Sequence, residues 1–106
     1  MSWMFLATAI VAEVLATTAL VKSDGFTRTV PVIITIVGYL AAFTSLGFAL
    51  KGIPASVAYA VWAGAGTALI ATIGIIVFGE PISSTRILGI SLVILGVVAI
   101  NLNGVS

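Results

Sequence analysis

Residues 3–21 read WMFLATAIVAEVLATTALV, an apolar run broken by a single carboxylate, Glu13. As a helix the run is about 28 Å long, close to the hydrocarbon thickness of a bilayer. Glu13 would therefore lie near the membrane midplane. An ionisable group at that depth is costly, faces a protein interior or water, and marks a path for ions or substrate. The bland alternative is a glutamate kept for hydrogen bonding between helices. Met1 and Ser2 carry no basic stretch, and the run exceeds a signal-peptide core, so a retained helix is expected.

Composition places the rest of the chain in the same solvent. Of 106 residues, 61% are hydrophobic and 7% charged, far from the roughly 25% charge of soluble domains. An all-α integral membrane protein follows. Cysteine and histidine are both absent, which removes disulfides, thiol nucleophiles, the commonest metal ligand and the usual general base. No nucleophile–base constellation or cofactor fingerprint is present, so enzyme activity, metals and cofactors are not expected. A net charge of +1 is too small to suggest nucleic acid as a partner.

Charges and breakers divide the chain into four runs. Lys22 to Thr29 is polar, and Gly25 suits a turn or a helix C-cap. The second run starts at Val30, with Pro31 in a first-turn position where its missing N–H does no harm. Lys51, Gly52 and Pro54 end it, and Gly79, Glu80 and Pro81 end the third. The expected transmembrane helices are 3–21, 30–50, 55–78 and 86–102, joined by short loops as a single domain over 1–106. Loops one and three carry Lys22, Arg28 and Arg86, against Lys51 and the N-terminal amine on the other side. This count biases the termini only weakly toward the outside and permits insertion both ways round. Four short helices enclose little space. Two opposite copies make an eight-helix inverted repeat with a site at its interface.

Candidate site residues follow from helical spacing. Leu6, Ala9, Ile10, Ala16, Thr17 and Leu20 lie near Glu13, and the small Ala9, Ala16 and Thr17 leave room around the carboxylate. With no lysine or arginine in the run, the carboxyl can hold a proton or bind a cation. In the third run Tyr59 and Trp62 share a face. They read either as an aromatic wall for a cation or as members of an interfacial aromatic belt. Gly64 and Gly66 admit close packing or a bend. Tyr39 and Phe43, four apart in the second run, either line the same chamber or face lipid. Gly89 and Gly96, seven apart in the fourth run, form a small-residue stripe suited to a dimer contact or to packing within the chain.

Ala12-Glu13-Val14, Gly25-Phe26-Thr27-Arg28 with Pro31, Ile53-Pro54, the run from Ala58 to Gly66 and Gly79-Glu80-Pro81-Ile82 together resemble the small multidrug resistance family of bacterial transporters. The match runs through essentially the whole chain in order and spacing. The resemblance implies an antiparallel, dual-topology homodimer in the bacterial inner membrane, exchanging protons for cationic substrates by alternating access. It also implies that Glu13 is the essential carboxylate, binding proton or substrate but not both. By the same resemblance Tyr59 and Trp62 are binding-site aromatics, Gly64 and Gly66 mark a helix bend, and Gly89 and Gly96 a dimer contact. Tyr39 and Phe43 correspond to residues near the portal and chamber. Protons are then the coupling ion and no cofactor is needed.

Residues 13–18, EVLATT, are similar to the branch exporting quaternary ammonium and other lipophilic cations. The guanidinium exporters typically have tryptophan where Ala16 stands, and alanine is expected to leave space for a large cation. Lys22 lies nine residues beyond Glu13, one further than the family's usual basic residue, and Lys51 is an unfamiliar loop residue. The alternatives are a guanidinium-type exporter or a subunit of a heteromeric pair and, from another class, a small non-transporting assembly or regulatory protein.

Overall fold

The computed structural model describes residues 1–102. They form four helices, α1 (Ser2–Lys22), α2 (Thr29–Ala49), α3 (Ala55–Ile76) and α4 (Ser84–Leu102). The first three are long and apolar enough to cross a membrane, and α4 carries a shorter apolar stretch, Ser84–Ile100. In hydrocarbon an isolated segment can satisfy its backbone N–H and C=O groups only by forming a helix. The hydroxyl side chains inside these helices turn back on the preceding turn: Thr8 donates to the Met4 carbonyl, Thr18 to Val14, Thr44 to Leu40, Thr72 to Ala68 and Ser91 to Ile87. Among the described residues no buried side-chain polar atom lacks a partner.

The helix ends depart from the expected ones by one or two residues, each for a local reason. Helix α1 runs on to Lys22, whose basic side chain suits the last turn. At the far end of α3 the helix stops at Ile76, because Gly79 adopts φ +66° and the Glu80 N–H reaches back to the Gly74 carbonyl at 3.0 Å. Helix α4 begins at Ser84 rather than Arg86, because the Ser83 hydroxyl accepts the Arg86 N–H at 3.1 Å as an N-cap.

The chain divides into two compact units, 1–53 and 54–106; residues 103–106 lie outside the described part. In the first unit α1 packs along α2. The two helices lie close at Gly38, where an added Cβ would stand 2.7 Å from the Ala16 Cβ and 3.2 Å from its Cα. Three residues earlier, buried Thr35 shares its hydroxyl between the Pro31 carbonyl at 2.8 Å and the Ala16 carbonyl of α1 at 3.3 Å. One face of α1, with Leu6, Ala9, Ile10, Val14, Ala16 and Ala19, is buried.

The ends of this hairpin are tied separately. Ser23 is fully buried; its hydroxyl donates to the Leu20 carbonyl and accepts the Phe26 N–H. Asp24, Gly25 and Phe26 follow with φ of 51°, 66° and 68°, so only one of three consecutive left-handed residues is a glycine. At the other end the Phe5 and Phe48 rings stack at 5.2 Å, with the Lys51 ammonium 5.4 Å from the Phe48 centroid.

In the second unit α3 packs on α4. Buried Gly64 seats Val97, and a Cβ there would also come within 3.3 Å of Val93. The α3–α4 loop is held by the Glu80 carboxylate, which lies against Gly74 and pairs with Arg86, while Arg86 also donates to the Pro81 carbonyl at 3.1 Å. This pair is partly solvated, with side chains 30% and 45% exposed, and such pairs contribute about 0–1 kcal/mol. Arg86→Ala is therefore expected to leave detergent-solubilised stability within ~1 kcal/mol of the parent, read by unfolding in mixed micelles.

Candidate cation and proton site

Glu13 sits on α1 in the same longitudinal stripe as Leu6, Ala9 and Thr17. It is half-buried, and among the described residues no lysine or arginine pairs with it. Its partner is a hydroxyl: Thr17, one turn later, donates to Glu13 Oε1 at 2.9 Å. The Thr17 oxygen in turn lies 2.6 Å from the Tyr39 hydroxyl of α2. A carboxylate, a threonine and a tyrosine thus form one continuous hydrogen-bonded row across the α1–α2 pair. The row is held in register by the Gly38–Ala16 contact, one residue away on each helix.

The other expected residues fall into distinct environments. Leu6 and Ala9 are fully enclosed and pack rather than present a surface. Phe43, one turn beyond Tyr39, is exposed. Tyr59 is 72% exposed on α3, and Trp62, one turn on, is half-buried. Gly64 and Gly66 are both buried, and α3 runs through them as unbroken helix; at Gly64 the close packing against α4 is realised. Gly89 and Gly96 lie on the exposed side of α4 with nothing within 4 Å of an added Cβ.

Ala16 differs from its expected role. Its side chain does not border an open space but is buried against the backbone of Gly38. The room left by the small residue is taken up by α2. Thr35 and Gly38, which set this contact, are not evident as site-supporting residues from the sequence. The one available signal is that Thr35 lies four residues before Tyr39, on the same side of α2.

A carboxyl group bonded to one hydroxyl, with no ion pair among the described residues, has the chemistry to hold a proton or to bind a cation. The family model described as Small Multidrug Resistance protein matches residues 1–93. The chain belongs to the Small Multidrug Resistance family. It is similar to multidrug resistance protein EbrB of Bacillus subtilis strain 168, 52% identical over 98 residues, which are 92% of this chain and 84% of that protein. It is also similar to the quaternary ammonium compound-resistance protein QacF of Klebsiella aerogenes, 46% identical over 101 residues, 95% of this chain and 92% of that one. Multidrug resistance protein mmr of Mycolicibacterium paratuberculosis is 45% identical over 105 residues, 98% of both chains. As a Small Multidrug Resistance family member the chain is a four-helix, multi-pass membrane transporter for multidrug efflux. Such transporters are not enzymes and need no cofactor.

Proposed function

We propose that the protein is a proton-coupled antiporter of the bacterial inner membrane that exports quaternary ammonium and other lipophilic or aromatic cations. The observation that carries this reading is Glu13, held in an apolar helix by a hydroxyl and no cation. Proton and substrate compete for that carboxyl, and whichever is bound on one side of the membrane is delivered to the other when the transporter reorients. Tyr59 and Trp62 offer the cation aromatic faces, while Tyr39, Phe43 and Thr17 line its path and Leu6 and Ala9 pack beneath it. The four helices act as one domain, and two copies pair antiparallel into a homodimer. The open glycines of α4, Gly89 and Gly96, support that pairing, because small residues let helix backbones approach. Gly64 and Gly66 let α3 bend during reorientation.

The substrate class rests on two supports. QacF is named for resistance to quaternary ammonium compounds, and the Ala16–Gly38 contact has no room for an indole without parting α1 from α2. Proteoliposomes with an acidic interior test the reading. Labelled tetraphenylphosphonium should accumulate against its gradient in exchange for protons, with guanidinium a poor competitor. Transport of guanidinium alone would reassign the chain to the guanidinium exporters, and activity only with a second gene product would make it half of a heteromeric pair. Trp62→Ala is expected to weaken tetraphenylphosphonium binding by about tenfold, the scale of one desolvated cation–π contact, with the unfolding midpoint little changed. Parallel losses of binding and stability would assign Trp62 to packing.

A further inference from the structure

We propose that Thr17 is a positioning residue whose one hydroxyl proton reverses direction when Glu13 takes up a proton, so that Tyr39 on α2 reads the charge state of Glu13 on α1. The proposal rests on the antiport reading and names the device that carries the proton state from one helix to its neighbour. A threonine hydroxyl has a single proton. While Glu13 is a carboxylate, that proton is committed to Oε1 at 2.9 Å. The 2.6 Å contact to Tyr39 must then be donated by the tyrosine, which leaves only phenol lone pairs to face other groups. A protonated Glu13 instead presents an O–H, a stronger donor than an aliphatic hydroxyl. It donates to the Thr17 oxygen, the Thr17 proton turns to the Tyr39 oxygen, and the Tyr39 O–H is released to donate elsewhere. Only the proton on Glu13 is gained or lost; Thr17 and Tyr39 keep theirs and exchange roles.

Two features make the row suited to signalling. Its backbones are set close, because Gly38 rests on Ala16 and Thr35 bonds the Ala16 carbonyl beside it. The hydroxyl directions are therefore what remains free to respond. The row is also electrically isolated: between residues 2 and 21 of α1 and 29 and 49 of α2, Glu13 and Tyr39 are the only titratable side chains. Lys22, Asp24, Arg28 and Lys51 lie at the ends of the hairpin. In α3 and α4 the titratable side chains are Tyr59 and Arg86. Cations bearing N–H donors would meet Tyr39 as an acceptor when Glu13 is charged, whereas quaternary cations would be indifferent to it.

The test is a pH titration of the full-length protein labelled with 13C at the tyrosine ring carbon bearing oxygen and at the glutamate carboxyl, in lipid bilayers. Tyr39 is assigned by comparison with Tyr39→Phe. In the parent and in Thr17→Ser, the Tyr39 signal should move with the same midpoint as the Glu13 carboxyl. In Thr17→Val the Tyr39 signal should stay flat while the Glu13 carboxyl signal still moves with pH. A flat Tyr39 signal in the parent, or one that still follows Glu13 in Thr17→Val, overturns the proposal. Loss of proton release on cation binding would instead overturn the antiport reading, so the two failures are separable.

Discussion

Glu13→Gln is expected to reduce proton-driven cation export to the background of empty vesicles. The chain has three carboxylates, Glu13, Asp24 and Glu80, and only Glu13 lies within a membrane-spanning helix. Asp24 is in the exposed α1–α2 loop, and Glu80 is committed to Arg86. Glutamine keeps the size and can still accept from Thr17, so folding should survive, but it can neither take up a proton nor attract a cation. Glu13→Asp keeps the charge but draws it back by one methylene from Thr17. It should retain export with an altered pH profile and a reduced rate. Asp24→Asn and Glu80→Gln should leave the coupling intact. The measurement is tetraphenylphosphonium flux into proteoliposomes under a pH gradient, with each variant reconstituted at matched density. Undiminished proton-driven flux in Glu13→Gln, or its loss in Glu80→Gln, would move the coupling site elsewhere.

Gly38→Leu should have the largest effect on the fold. At Gly38 even a methyl would stand 2.7 Å from the Ala16 Cβ and 3.2 Å from its Cα. Those atoms are fixed to the α1 backbone, so the clash can be relieved only by separating the helices. Overpacking of this kind costs about 1–3 kcal/mol for modest insertions, which is the scale expected of Gly38→Ala. A leucine should exceed it. The separation would also pull Tyr39 from Thr17, so proton coupling should weaken even where the protein still folds. Gly47 is the control, on the same helix with nothing within 4 Å of an added Cβ; Gly47→Ala should be close to neutral. Unfolding by sodium dodecyl sulfate in mixed micelles, followed by circular dichroism, separates the two. Equal midpoints for Gly38→Leu and Gly47→Ala would mean that the α1–α2 contact does not govern stability.

The four helices and the isolated place of Glu13 within α1 are legible in the sequence for one reason: charges and breakers in so apolar a chain are rare enough to mark the loops. Glu13 stands out because nothing else in α1 between Ser2 and Lys22 is charged. The helix ends are less legible, since they depend on bonds such as Ser83 to Arg86 and Glu80 to Gly74, where a serine or a glycine has several equivalent uses. Least legible is which side of each helix packs. A helix apolar all round has no amphipathic stripe to read, so the spacing that places Ala16 near Glu13 cannot tell open chamber from buried contact. Thr35 and Gly38 carry no mark in the sequence for the same reason. The Thr17–Tyr39 bond joins residues 22 apart, a pairing that only the α1–α2 register fixes.

If proton and substrate compete for Glu13, cation binding must release protons. Detergent-purified protein in weak buffer near neutral pH is titrated with tetraphenylphosphonium while the pH is recorded. Binding should expel protons, and Glu13→Gln should release none. Cation binding without proton release, or release that persists in Glu13→Gln, would contradict the account.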